Sequence, residues 1–325
     1  MRLGADPHQL EVLARSIRSA ARELLAISAA HDARIRAVLR DGSAAAVRLD
    51  ELRVELVAAL QRCSTELVLA SRRLDGHALE QRSASLAAVA RVTLRIDPAG
   101  DGRLVERLGP AHASVVVVLV PGVGTDLADR SELRSDAERV WATVAAVHER
   151  GHGDPDVAVV SWLGYDPPDH VWGGVQRGPA VAGAGRLVED VADLRAAGAA
   201  RVVVVGHSYG AVLAAIAGAE GLDADELVLV GAPGLGVARV DRLRLRPAAR
   251  VWAAAAPRDP VAWVARTGLV HGPDPVAVAR RLPTSRHGHA AYLEDPVLLE
   301  ALGTLAAGGD PTISPGPRGP GTVGL

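Results

Sequence analysis

Ser208 lies at the centre of Gly206-His207-Ser208-Tyr209-Gly210, directly after the apolar run Val202–Val205 and before the small residues Ala211, Ala214 and Ala215. Gly-x-Ser-x-Gly between a strand and a helix forms a sharp turn that lifts the serine hydroxyl to the edge of a sheet. The flanking glycines let strand and helix approach without Cβ clashes. A helix N-terminus beneath the hydroxyl favours developing negative charge. The chemistry such a serine serves is acyl transfer. That chemistry needs amides for an oxyanion, a general base and an orienting acid. The amide of Tyr209, just after the nucleophile, is one expected oxyanion donor. The other is Val123, in the glycine-rich turn Pro121-Gly122-Val123-Gly124 that follows Val116–Val120.

On this arrangement the partners follow in the order serine, acid, histidine. Asp259 comes shortly after the apolar run Val251–Ala255, where parallel sheets place their sites. Asp259-Pro260 also reads as a helix N-cap with proline at the first helical position. Asp274-Pro275 has the same form and is the alternative acid. The base lies further on, among His271, His287 and His289; His289 is favoured, although spacing alone does not separate it from His287. His207, inside the elbow, reads as a packing residue.

Two rival chemistries are weaker. His148-Glu149-Arg150-Gly151-His152 matches His-Glu-x-x-His, which binds zinc when both imidazoles share one helical face. Gly151 and Gly153 are expected to end the helix inside the motif, so no metal is assigned. Gly122-x-Gly124 lacks the third glycine of a dinucleotide fingerprint, since Leu127 stands there.

Composition excludes more. All 36 basic residues are arginine, and the chain has no Lys, Asn or Phe. Without lysine there is no Walker lysine and no Schiff-base amine. A net charge of −2 with only five Trp and three Tyr argues against a nucleic-acid partner. The single Cys63 excludes an intrachain disulfide and a thiolate zinc site. Cofactors are therefore expected to be none. The start, Met1-Arg2-Leu3-Gly4-Ala5-Asp6-Pro7, lacks a signal peptide's apolar stretch, and no run approaches the ~18 apolar residues of a transmembrane segment. A cytoplasmic location is the default expectation.

The elements that must position these residues fall into three parts: a helical hairpin over 1–88, an α/β domain over 89–307, and a disordered Gly/Pro-rich tail over 308–325. In the hairpin, apolar residues recur in threes and fours from Leu10 to Val38, and again at Leu49, Leu52, Leu56, Ala59, Cys63 and Leu67. Asp41-Gly42-Ser43 is the turn. His31 and Cys63 are expected within the apolar seam. From Val89 the pattern changes to strands at Val92–Ile96, Leu104–Leu108, Val115–Val120, Val157–Trp162, Val202–Val205, Leu227–Val230 and Val251–Ala255. Helices are expected at Ser131–Glu149, Ala184–Ala197 and Ala211–Ala219. Alternating apolar strands and helices predict a mostly parallel sheet with helices on both faces. Loops over 162–175 would cover the site, with Tyr165 and Trp172 as an apolar pocket wall.

The chain resembles the α/β-hydrolase superfamily, and within it an actinobacterial family of serine-hydrolase-like domains of unknown function. The similar segments include Val120-Pro121-Gly122, Trp162-Leu163-Gly164-Tyr165-Asp166, the elbow, Asp259-Pro260-Val261, His271-Gly272-Pro273-Asp274-Pro275 and Gly288-His289-Ala290-Ala291-Tyr292. The resemblance implies Ser208, Asp259 and His289 as the triad, and hydrolysis of an ester or related acyl bond in a small acyl substrate. The first 88 residues are similar in length and pattern to the WxG-type hairpins of type VII secretion substrates. They lack the Trp-x-Gly turn, since the first aromatic is Trp141. Export by that route therefore lacks its usual signals. A serine hydrolase is the leading expectation. The alternative is a binding or assembly protein with a catalytically idle hydrolase fold, joined to a helical partner or to itself through residues 1–88.

Overall fold

The computed structural model describes residues 13, 16–17, 20–21, 50–67, 69–70, 89–152, 156–169 and 176–311. The chain divides into two compact units, Met1–Ala88 and Val89–Leu325. In the first unit every described residue is helical, and the Ser64 hydroxyl donates to the Ala21 carbonyl at 3.1 Å. The apolar stripe of the helix over 50–67 differs from expectation. Leu52 and Leu56 are exposed, as is Cys63, whereas the better-buried positions are Arg53, Val57, Leu60 and Ser64. The stripe is offset by one residue over 53–64, whereas Leu67 of the expected set is half-buried. Val57 and Leu60 supply an apolar face of their own beside the expected one, so periodicity alone selects neither. His31 and the predicted turn lie outside the described residues.

The second unit is an eight-stranded sheet in the order β1-β2-β4-β3-β5-β6-β7-β8. The strands are β1 Arg91–Asp97, β2 Arg103–Leu108, β3 Val115–Val120, β4 Val157–Leu163, β5 Arg201–His207, β6 Glu226–Val230, β7 Arg250–Ala254 and β8 Arg280–Arg281. β2 pairs antiparallel with both β1 and β4; all other pairings are parallel. The central strands β3, β4 and β6 are buried at every residue. Continuous Val/Leu runs of this kind are what a sheet covered on both faces requires.

The principal helices are α1 Arg130–His152, α2 Gly178–Ala196, α3 Tyr209–Glu220, α4 Pro260–Ala265, α5 Pro275–Val278 and α6 Pro296–Ala306. α2 packs on α3, and α1 on α6. One core cluster joins Val116, Val118, Val202 and Val204 to α2 and α3. Their odd-numbered neighbours point to the other face, as strand geometry demands. α3 is buried from Tyr209 to Gly218, and its Ala and Gly residues allow close approach to the sheet. Among the described strands only β8 has no counterpart in the expected set. Its two arginines are exposed and held by pairing with Trp252 and Ala253, without any apolar run.

Buried charge appears where strands need it. Glu106 on β2, 3% exposed, accepts from Thr93, Arg130 and Arg134. Burial opposes its ionisation, but the two guanidiniums and the Thr93 hydroxyl outweigh it, and its pKa falls to about 2. Gly309 and Asp310, which the sequence placed in the tail, are held by Arg250 and Arg280. Residues 312–325 lie outside the described residues. Among the described residues no helix is long and apolar enough to cross a membrane.

Candidate active site

β5 ends at His207 and α3 begins at Tyr209, so Ser208 alone makes the turn. Its backbone has φ 55° and ψ −123°, a conformation that L-residues rarely adopt. The surroundings hold it there: the Ser208 amide donates to the Val230 carbonyl at 2.8 Å, and its carbonyl accepts from Ala211 at 3.1 Å. A Cβ on Gly210 would overlap the carbonyl oxygens of Val120 and Pro121 at the end of β3. The second elbow glycine therefore accommodates the neighbouring strand, not its own.

Gly122 packs directly on the serine; a Cβ built on it would lie 2.7 Å from Ser208 Cβ and 3.2 Å from Oγ. Val123 follows and lines the cavity above the serine. The loop is braced from behind by Tyr165, whose hydroxyl donates to the Pro121 carbonyl at 2.7 Å. Tyr165 is 1% exposed and stacks between the rings of Trp162 and Tyr209. It stands behind the pocket wall, not in it, because its hydroxyl finds a partner inward. Trp172, the other expected wall residue, lies outside the described residues.

Three side chains from three loops then meet. His289 Nε2 lies 2.8 Å from Ser208 Oγ, and its Nδ1 lies 3.0 Å from both carboxylate oxygens of Asp259. A carboxylate only accepts, so Nδ1 carries the proton of the neutral ring and Nε2 accepts from the serine hydroxyl. Asp259 follows β7 and caps α4, accepting from the Val261 amide at 2.8 Å. Asp259 thus caps α4 and contacts the His289 imidazole with the same carboxylate. Its side chain is fully buried, which alone would raise its pKa. Hydrogen bonds from His289, Tyr292 and Val261 outweigh burial and leave the pKa below the usual carboxylate range. Asp274 caps α5 through the Val276 amide at 3.0 Å and makes no contact with His289.

The other histidines have separate roles. His287 turns to Asp295, 3.2 Å away, and sets its ring edge-on to Tyr292. His271 is buried edge-on to Tyr209. His207 Nε2 donates to the His289 carbonyl at 3.0 Å, and the two rings lie 4.9 Å apart. Desolvation, reinforced by the neighbouring His289, lowers the His207 pKa to about 4. This histidine packs, but against the loop that presents His289.

Sequence reasoning assigned no role to Tyr292. Its buried hydroxyl donates to Asp259 Oδ2 at 2.7 Å and accepts from the Ala256 amide at 2.8 Å. Burial raises its pKa well above the usual phenol range. The signal was the segment Gly288-His289-Ala290-Ala291-Tyr292. Gly231 is the second unassigned residue: at φ +56° it faces Asp259, His289 and Tyr292 together.

A cavity of about 600 Å³ opens over Ser208 and His289. Apolar side chains, among them Leu119, Leu133, Val261, Val264 and Leu293, make most of its wall. Asp129, Glu132 and Asp136 line one part of it, and among the described residues no arginine does. Among the described residues no group of three or more His, Cys, Asp and Glu could hold a metal ion. α1 runs through Gly151 to His152, past the point where glycine was expected to stop it. A glycine in an open last turn weakens a helix by only about 1 kcal/mol, too little to end one of 23 residues. The His152 side chain lies outside the described residues.

A family model described as alpha/beta hydrolase matches residues 97–269, more than half of the 325 residues. The chain belongs to the α/β-hydrolase family. The matched stretch of this α/β hydrolase contains Ser208 and Asp259 and ends before His289. An uncharacterized protein of Mycobacterium tuberculosis is 31% identical over 173 residues, which are 50% of this chain and 26% of that protein. An uncharacterized protein of Mycobacterium bovis is 27% identical over 146 residues, 42% of this chain and 53% of that protein. The α/β hydrolase thus spans about a quarter to a half of the length of these relatives. Among solved structures, a hyperthermophilic esterase from the archaeon Pyrobaculum calidifontis is 17% identical, with a TM-score of 0.42, covering 71% of this chain and 88% of that one. A thermostable carboxylesterase cloned from a metagenomic library is 21% identical, also with a TM-score of 0.42, covering 70% and 92%.

Proposed function

We propose that the protein is a serine hydrolase cleaving an ester or related acyl bond, with Ser208 as nucleophile, His289 as general base and acid, and Asp259 as orienting acid. The observation that carries this reading is the unbroken chain from Ser208 Oγ through both ring nitrogens of His289 to Asp259, opening on an apolar cavity.

Each role follows from an atom's position. Ser208 Oγ attacks the acyl carbon while His289 Nε2 takes its proton. Asp259 keeps Nδ1 protonated and stabilises the imidazolium that forms. The amides of Val123 and Tyr209 are the proposed oxyanion donors, one in the loop packed on Ser208 and one at the N-terminus of α3. Each such donor is worth roughly 3–4 kcal/mol of transition-state stabilisation. His289 then returns the proton to the leaving group, leaving an acyl-enzyme. Water, deprotonated by the same nitrogen, releases the acid and restores the serine. The apolar wall suits an uncharged acyl chain, and the lining carboxylates disfavour an anionic one.

A fluorophosphonate probe tests the assignment. It should label the native protein at Ser208 and leave Ser208→Ala unlabelled. Equal labelling of both proteins would overturn the reading.

A further inference from the structure

The segment that carries Asp259 has two apolar sides. Its inner side, Val261, Val264 and Val270, lines the cavity. Its outer side presents Trp263, Val264 and Leu269 to solvent, at 52%, 43% and 86% exposure. Val264 belongs to both sides, so apolar surface continues from the cavity wall to the exterior. Scattered exposed apolar residues are ordinary on any protein. Three within seven positions, joined to a cavity that holds a candidate nucleophile, form a patch of the kind that marks an interaction site.

Within residues 257–270 the exposed charges are of one sign. Arg258 and Arg266 are exposed, and neither forms an ion pair with a described residue. The only acid between residues 257 and 270 is Asp259, which is fully buried. Some guanidiniums of this unit are engaged, such as Arg95 with Asp190 and Arg250 with Glu226, while others, such as Arg242 and Arg244, are exposed without an ion pair to a described residue. The carboxylates of the cavity wall, Asp129, Glu132 and Asp136, come from the segment after β3. Residues 257–270 thus combine an exposed indole, two exposed aliphatic side chains and two exposed cations, and contain no exposed acid of their own.

We propose that this rim docks the protein on an anionic lipid surface. Trp263, Val264 and Leu269 enter the boundary between headgroups and acyl chains, where an amphipathic indole is most favourably placed. Arg258 and Arg266 meet the phosphate oxygens, which gives the docking its preference for anionic headgroups. The cavity mouth then opens toward the lipid, and the acyl substrate enters from that side. This last step rests on the serine-hydrolase reading; the docking does not.

Co-sedimentation with vesicles tests the docking separately from catalysis. Phosphatidylcholine vesicles with and without an equal share of phosphatidylglycerol are mixed with the full chain carrying Ser208→Ala. Binding should be at least tenfold tighter to the anionic vesicles. Trp263→Ser with Leu269→Ser should reduce it tenfold or more, and Arg258→Gln with Arg266→Gln should abolish the preference between the vesicles. Each double variant should keep the parent's unfolding midpoint, since all four side chains are exposed. Failure to bind either vesicle, or equal binding by parent and variants, would overturn the proposal. So would a lipid-free dimer that Trp263→Ser with Leu269→Ser converts to monomer, which makes the patch a self-association surface. Loss of fluorophosphonate labelling, by contrast, bears on the catalytic assignment alone.

Discussion

The Tyr292 hydroxyl lies 2.7 Å from Asp259 Oδ2, with both groups buried and the phenol anchored in turn by the Ala256 amide. Asp259 is therefore held from two sides, by Tyr292 and by His289, and the phenol fixes the plane that the imidazole must match. A hydrogen bond to a buried charged group is worth about 1.5–3 kcal/mol. Tyr292→Phe should lower kcat at least tenfold with KM unchanged. The Ala256 amide, left without its acceptor, should lower stability by about 1–3 kcal/mol. Steady-state kinetics beside a denaturant titration separates the two effects. A change in KM alone would show that Tyr292 shapes the pocket and does not position the acid.

Asp259 and Asp274 allow a direct comparison, because both cap short helices that begin with proline. Only Asp259 also touches an imidazole. Asp259→Ala should reduce turnover on the order of 10⁴-fold by releasing control of the His289 tautomer. Asp274→Ala should remove about 1 kcal/mol of stability through the lost cap, with turnover retained. Turnover and unfolding midpoints measured on both variants decide the matter; the reverse pattern would move the acid to Asp274.

The elements around the site were largely legible because their signals are local. β3 spans Val115–Val120 as its apolar run predicts, and β5 and α3 meet at Ser208 as the glycine spacing predicts. What escaped depends on distant partners or on degenerate patterns. Tyr292 binds a carboxylate 33 residues earlier in the chain, which no spacing rule connects. His287 and His289 share one short loop, and only the fold sends one to Asp295 and the other to Ser208. β8 has no apolar residue to announce it, being Arg280–Arg281 held against β7. Tyr165, with the look of a pocket aromatic, is drawn inward by the Pro121 carbonyl.

Gly231 is where packing and chemistry constrain one residue together. Its φ is +56°, and a Cβ there would lie 2.7 Å from Tyr292 Cε2, 3.0 Å from Asp259 Oδ2 and 3.2 Å from His289 Cε1. Gly231→Ala must displace at least one of these groups, and the left-handed backbone adds strain. A misplacement approaching 1 Å costs about 10²-fold in rate, so turnover should fall on that order. Stability should fall by about 1–3 kcal/mol. The check is kcat alongside a denaturant midpoint; native turnover in the variant would show that the three groups have more slack than these distances allow.

His207 makes stability depend on pH in a window of its own. Its pKa falls from 6.5 to about 4 on folding, because desolvation disfavours the imidazolium. Between these values the unfolded chain binds the proton and the folded chain does not, so stability rises with pH. The contribution is fully present above 6.5 and is lost as pH falls through the window to about 4, on the order of 3 kcal/mol in all. The Asp259 contribution is lost at lower pH, since its folded pKa lies below the usual carboxylate value. His207→Gln keeps a donor for the His289 carbonyl but does not titrate. Its unfolding free energy, measured by denaturant titration from pH 7 to pH 4.5, should fall less steeply than that of the parent. Parallel slopes in the two proteins would show that the His207 proton is not what weakens the fold in acid.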